Sequence, residues 1–78
     1  MCAFKILVSS DLNYNDLCAE IYYDDQFVGI MTQEQGFENL EIEIYPLPNQ
    51  QHWTFKLIDF EEVIKSAKET LWEMRKEP

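Results

Sequence analysis

The sequence predicts an α+β fold in which an antiparallel sheet of four to five strands, arranged as a meander, packs against one C-terminal amphipathic helix. Short segments with alternating apolar and polar residues fill most of the chain, and turn-forming residues separate them. A stripe of apolar residues with helical spacing follows at the end. The 78 residues allow a single domain, 1–78, and a hydrophobic content of 46% is too high for a disordered segment.

The strands are predicted from short apolar runs, and all but the third alternate with a period of two. The strands lie at residues 5–10, 17–23, 27–33, 40–45 and 53–57. Asp24, Asp25 and Gln26 connect the second and third strands as a hairpin, because aspartate tolerates turn geometry. The third strand carries apolar residues on both parities, which indicates a central strand or one partly covered on both faces.

Two strands alternate acids and tyrosines with apolar residues. In the second strand, Glu20, Tyr22 and Asp24 oppose a face that contains Ala19 and Ile21. In the fourth strand, the outward residues are Glu41, Glu43 and Tyr45, and the inward residues are Leu40, Ile42 and Ile44. If both outward rows lie in one sheet, they form an acidic surface interleaved with tyrosines.

The last strand and the helix follow one another closely. Trp53, Phe55 and Leu57 share one side of the predicted fifth strand. Asp59 is a suitable N-cap with Glu62 at the third helical position, a capping box, and Ile58 with Val63 fits a hydrophobic staple. The apolar stripe of the helix consists of Phe60, Val63, Ile64, Ala67, Leu71 and Met74.

The net charge of −9 is unevenly distributed. Between Lys5 and Lys56 the chain has nine acidic residues and no lysine or arginine, whereas the segment from Lys56 onward has five bases and six acids. Such self-repulsion lowers the stability of a small domain. One explanation of the acidic excess is solubility together with protection of the sheet edges. A surface complementary to a basic partner is the competing explanation.

No motif for catalysis, a metal or a cofactor is present in the sequence. His52 is the only histidine, and Cys18 has no basic sequence neighbour to lower its pKa. The paired carboxylates do not follow a calcium-loop pattern, and only two glycines are present, without a phosphate loop. We therefore expect a non-enzymatic protein without cofactor or metal. Direct binding of nucleic acid is opposed by the charge.

The expected location is the cytoplasm. The apolar run at residues 4–8 is interrupted by Lys5 and is too short for a signal peptide, and no stretch is long enough to span a membrane. Cys2 and Cys18 form no disulfide framework, so we expect reduced thiols.

The outward acids and tyrosines are the predicted partner-binding residues: Glu20, Tyr22, Asp24, Asp25, Glu41, Glu43 and Tyr45. Carboxylates pair with lysine or arginine, and tyrosine adds contact area at a low entropic cost. The simpler alternative is a solvated face on a structural or oligomeric module. A free sheet edge could also pair two copies of the chain as a homodimer.

The chain resembles small acidic immunity proteins that accompany bacterial polymorphic toxins. The residues that carry the resemblance are those at 8–12 with Tyr14, at 19–22, at 33–34, Gly36, 39–40 and 42–43, followed by the amphipathic helix. The resemblance implies a cytoplasmic, non-enzymatic protein that neutralises a toxin domain, such as a nuclease, by tight binding. It does not assign the binding residues. The alternative is a phage-encoded nucleic-acid mimic that inhibits a host defence complex, because it would also use its negative charge to bind a basic protein.

Overall fold

The computed structural model describes residues 3–10, 16–47 and 52–75. Its elements are β1 (Phe4–Ser9), β2 (Cys18–Tyr23), β3 (Gln26–Thr32), a short 3₁₀ helix η1 (Phe37–Asn39), β4 (Glu41–Ile44) and α1 (Leu57–Arg75). The four strands form one antiparallel sheet in the order β1-β2-β3-β4. The α+β meander with a C-terminal helix is therefore confirmed.

A β-bulge in β3 explains why both parities of that strand are apolar. Ile21 pairs with Gly29 and Tyr22 pairs with Phe27, so Val28 is the extra residue on β3. The bulge reverses the alternation, which lets Val28 and Met31 both face the core. The strand is central, as predicted, but a bulge accounts for its mixed pattern.

The core lies between the sheet and one face of α1. Its buried residues are Ala19, Ile21, Val28 and Met31 from the strands and Val63, Ala67 and Leu71 from the helix. The predicted stripe is confirmed over these helical positions, whereas Met74 at its end is 40% exposed. Because α1 packs chiefly against β1 and β2, Ile42 and Ile44 on the same side of β4 remain partly uncovered.

The predicted fifth strand at 53–57 is wrong. Residues 52–56 pair with no strand, and the sheet has four strands among the residues that the structure describes. Trp53 and Phe55 instead dock on the end of the sheet, where Phe55 lies 4.9 Å from Phe4 and 5.0 Å from Tyr23 between ring centroids. The Trp53 indole N–H donates to the Tyr45 carbonyl at 2.7 Å. The alternation of apolar residues in this segment thus reflects the docking of every second side chain, and the backbone does not pair with a strand.

The helix begins earlier than predicted, and the predicted cap and staple are wrong. Asp59 lies inside the first turn of α1, so Glu62 is not at the third helical position. The Phe60 N–H donates to the Lys56 carbonyl at 3.0 Å, and the Phe55 and Phe60 rings stack at 5.4 Å. This packing starts the helix at the end of the docked segment. Leu57 and Ile58 are consequently 71% and 65% exposed rather than packed inward.

The β2–β3 hairpin is closed by a two-residue turn at Asp24 and Asp25. Both residues have positive φ, 49° and 66°. Two successive left-handed residues are the hallmark of the type I′ turn, which matches the twist of the flanking strands. The predicted hairpin is confirmed, but Gln26 pairs with Tyr23 as the first residue of β3 instead of belonging to the connection.

We expect Gly29→Ala to lower the free energy of unfolding by about 1–3 kcal/mol. A Cβ at Gly29 would overlap the Glu43 carbonyl oxygen and crowd the Ile44 Cα, so β4 would have to move away. Urea unfolding followed by tryptophan fluorescence measures the change. Ser66→Ala on the exposed side of α1 serves as the control. An unchanged midpoint for Gly29→Ala would show that β4 does not approach β3 this closely.

Replacing the turn by Asp24→Asn with Asp25→Gly should raise the free energy of unfolding by about 0.5–1 kcal/mol, because glycine adopts positive φ without the steric cost of a side chain. The matched control is Asp24→Asn with Asp25→Asn, which removes the same two charges but keeps a side chain at the second position. Thermal unfolding compares them. Equal stabilisation by both variants would assign the effect to charge rather than to backbone geometry.

Candidate protein-binding face

Three aromatic rings cross the sheet on the face opposite α1. Tyr22 on β2, Phe27 on β3 and Tyr45 just after β4 form this row, with centroid distances of 5.5 Å and 5.2 Å between successive rings. Phe27 is 37% exposed and Tyr45 is 44% exposed. We call this set the aromatic row. It offers a broad, partly apolar contact surface.

Two carboxylates stand beside the aromatic row. Glu20 and Glu43 both pair with Ile30 in the strand register, so they flank it on neighbouring strands. The Tyr22 hydroxyl donates to Glu20 at 2.8 Å, and the Tyr45 hydroxyl donates to Glu43 at 3.1 Å. Each tyrosine therefore orients a carboxylate on the same strand or its extension.

Ile30 lies between these carboxylates and is only 5% exposed, although it belongs to the face opposite the helix. An acidic group beside a small apolar centre suits a cation with an alkyl stem, because the stem packs while the charged head pairs. The arrangement can therefore bind lysine or arginine side chains of a protein.

The Tyr22–Glu20 contact alters the titration of the phenol. The hydrogen bond to Glu20 raises the pKa of Tyr22 above its ordinary value of 10.0, with smaller contributions from burial and from the negative charge of Glu20. A raised folded-state pKa favours the neutral phenol. The hydrogen bond therefore stabilises the folded state fully below about pH 10, the pKa of tyrosine in the unfolded chain. This stabilisation is lost as the pH rises through the pKa of Tyr22 in the folded state.

The other predicted binding residues lie away from this centre. Glu41 shares the face but sits farther along β4, where it pairs with Thr32. Asp24 and Asp25 occupy the hairpin turn rather than the outward row, which corrects the predicted position of Asp24. Asp25 is 3.5 Å from the Lys5 ammonium in an ion pair that is largely exposed and therefore weak.

Phe27 and Ile30 are the residues of this face that sequence reasoning missed. Both belong to β3, whose mixed parity concealed which apolar residues point outward. Residues 27 and 30 would face opposite sides in a regular strand, and the bulge brings them to the same side. The signal in the sequence was the break in alternation itself, together with Gly29 next to it.

A second concave region lies on the other side of the molecule, between η1 and α1. This groove of about 880 Å³ includes Phe37 and Trp72, whose rings are 5.1 Å apart. The half-buried Ile64 also lines it, and the remaining lining residues are exposed helix residues of both charge signs, Glu61, Lys65, Lys68, Glu69 and Glu73. The mixed charge is typical of a solvated helix surface.

The described residues form neither a metal-binding cluster nor a membrane-spanning helix. In the ranges 3–10, 16–47 and 52–75, no three acidic, histidine or cysteine side chains are grouped so that they could hold a metal ion. Within the same ranges, α1 lacks the apolar length that a membrane-spanning helix requires.

Comparison with known proteins gives no relative: no protein-family model, no curated protein and no solved structure matches this chain. The geometry of the candidate face is therefore the basis for proposing a function.

Glu20→Gln should return the pKa of Tyr22 toward its ordinary value, because the carboxylate that holds the phenol proton is removed. Ultraviolet absorbance of the ionised phenol measures this as a downward shift in part of the tyrosine titration curve. Glu61→Gln, on exposed helix surface, removes one charge without touching a tyrosine and is the control. Superimposable curves for Glu20→Gln and the wild type would exclude the hydrogen bond.

Proposed function

We propose that this chain is a non-enzymatic inhibitor that binds a basic protein partner through the aromatic row and its carboxylates. The favoured partner is a bacterial toxin nuclease domain, whose nucleic-acid cleft the acidic face would occlude. The observation that carries the proposal is the pairing of oriented carboxylates with partly exposed aromatic rings at Glu20–Tyr22 and Glu43–Tyr45.

Charge supports this assignment. The strands between Lys5 and Lys56 contribute acids without any base, so the field of the sheet would attract a basic cleft and raise the association rate. A nuclease cleft must carry positive charge to hold phosphates. Carboxylates aligned on a sheet can replace those phosphates as ligands of its lysines and arginines.

The aromatic row supports tight binding rather than transient attraction. A few buried aromatic and charged anchors dominate most protein interfaces, and tyrosine is enriched among them. The Tyr22 and Tyr45 hydroxyls already restrain Glu20 and Glu43, which reduces the entropy lost on binding. The face is thus organised before the partner arrives.

The test compares two variants that remove the same charge. Glu20→Gln with Glu43→Gln alters the candidate face, whereas Glu61→Gln with Glu62→Gln alters exposed positions of α1. Each variant and the wild type are immobilised and exposed to lysate of the source organism, and the retained proteins are identified and purified. We expect a basic nuclease that binds the wild type and the helix variant and binds the face variant at least about tenfold more weakly, a loss of about 1.4 kcal/mol.

The purified partner is then assayed for nuclease activity. Inhibition that is complete at an equimolar amount of the wild-type chain and that is relieved by the face variant supports the proposal. Equal inhibition by the face and helix variants would remove the assigned residues from the interface. A partner without nuclease activity would overturn the favoured target.

A further inference from the structure

We infer that the outer edge of β4 binds an extended segment of the basic partner as an added strand, in which basic residues alternate with apolar ones. The inference rests on the proposed function and specifies how the partner is held. The partner would contact the backbone edge of the sheet in addition to the aromatic row.

The backbone of β4 has hydrogen-bonding groups directed away from the sheet. The Tyr45 N–H donates to the Val28 carbonyl at 2.8 Å and therefore faces β3, and the Glu43 carbonyl oxygen lies against Gly29 of the same strand. Since successive residues of a strand turn their backbone groups to opposite sides, those of Glu43 also face β3 and those of Ile42 and Ile44 face outward. Among the described residues, no strand pairs with β4 on that side.

The side chains of β4 define what the added strand must carry. Glu41 and Glu43 lie on the candidate face, whereas Ile42 and Ile44 lie on the helix side, 37% and 49% exposed. Directly opposite residues on paired strands contact one another on the same face. An added strand therefore needs lysine or arginine opposite the glutamates and apolar residues opposite the isoleucines.

A groove next to Ile42 could receive the apolar side chains of the added strand. This groove of about 270 Å³ lies between β4 and α1, and Met31, Leu40 and Ile64 help to line it. It exists because α1 packs over β1 and β2 and leaves the β4 side of the core less covered. Apolar side chains there would extend the core and remove exposed isoleucine surface from water.

A second copy of this chain fits the edge poorly. If two β4 strands paired antiparallel through the outward groups of Ile42 and Ile44, the glutamates of one copy would face those of the other. Like charges directly opposite are destabilising, and the net charge of −9 on each chain adds repulsion. Charge complementarity thus favours a basic segment over a homodimer.

The experiment uses synthetic peptides of about six residues, the usual length of a strand. In one peptide lysine and valine alternate; the other has the same composition with the lysines consecutive. Both are titrated into the wild-type protein and followed by amide NMR. We expect the alternating peptide to bind about tenfold more tightly and to slow amide exchange at Ile42 and Ile44, because only it can use both faces of the edge.

Two variants separate the backbone contribution from the side-chain contribution. Ile44→Ala shortens the side chain and keeps the outward N–H, whereas Ile44→Pro also removes that N–H and is tolerated best on an edge strand. The alternating peptide should bind Ile44→Pro about tenfold more weakly than Ile44→Ala. Circular dichroism of the variants checks that the fold is retained, and the comparison of the two peptides on the wild type does not depend on either variant.

Equal affinity for the two peptides, or perturbations confined to the aromatic row, would overturn strand addition and leave the binding of a basic partner intact. Sedimentation of the free protein as a dimer that Ile44→Pro dissociates would assign the edge to a second copy and also overturn it. The proposed function fails separately, if no basic nuclease discriminates between the face and helix variants.

Discussion

The extra residue in β3 controls both faces of the sheet. Val28 and Met31 are an odd number of positions apart, so a regular strand could direct only one of them to the core. The bulge allows both to pack beneath α1, and it turns Phe27 outward between Tyr22 and Tyr45. Gly29 leaves space for β4 to approach the irregular strand. Core packing and the aromatic row therefore have a common structural origin.

Hydrogen bonds hold two of the carboxylates on the sheet in defined positions. Glu20 and Glu43 flank the buried Ile30 and accept hydrogen bonds from two tyrosines. Acids needed only for solubility would not require such restraint, since a hydrated carboxylate serves that purpose in any orientation. In contrast, α1 carries both charge signs along its exposed surface, so the excess negative charge lies in the chain before the helix. Aromatic ring pairs at contact distance contribute favourable energy that opposes such repulsion.

Much of that packing involves the segment before the helix. Trp53 and Phe55 join Phe4, Tyr23 and Phe60 in a cluster at the end of the sheet. Their alternation resembles that of a strand because every second side chain of any extended chain can reach the same surface. Strand formation additionally requires a backbone partner, and this segment has none among the described residues. The cluster instead positions the first turn of α1 and, through the Trp53 indole, the end of β4.

Local sequence patterns were sufficient to predict the four sheet strands, the hairpin between β2 and β3, the buried stripe at Val63, Ala67 and Leu71, and the outward parity of Glu20, Tyr22, Glu43 and Tyr45. Each of these follows from local periodicity or turn chemistry. The bulge, the outward position of Phe27, the start of α1 and the lack of a strand partner for the outer edge of β4 among the described residues are evident only in the folded chain. Those features depend on register and packing between residues distant in the chain, and a local pattern contains no information about which distant backbone it will meet.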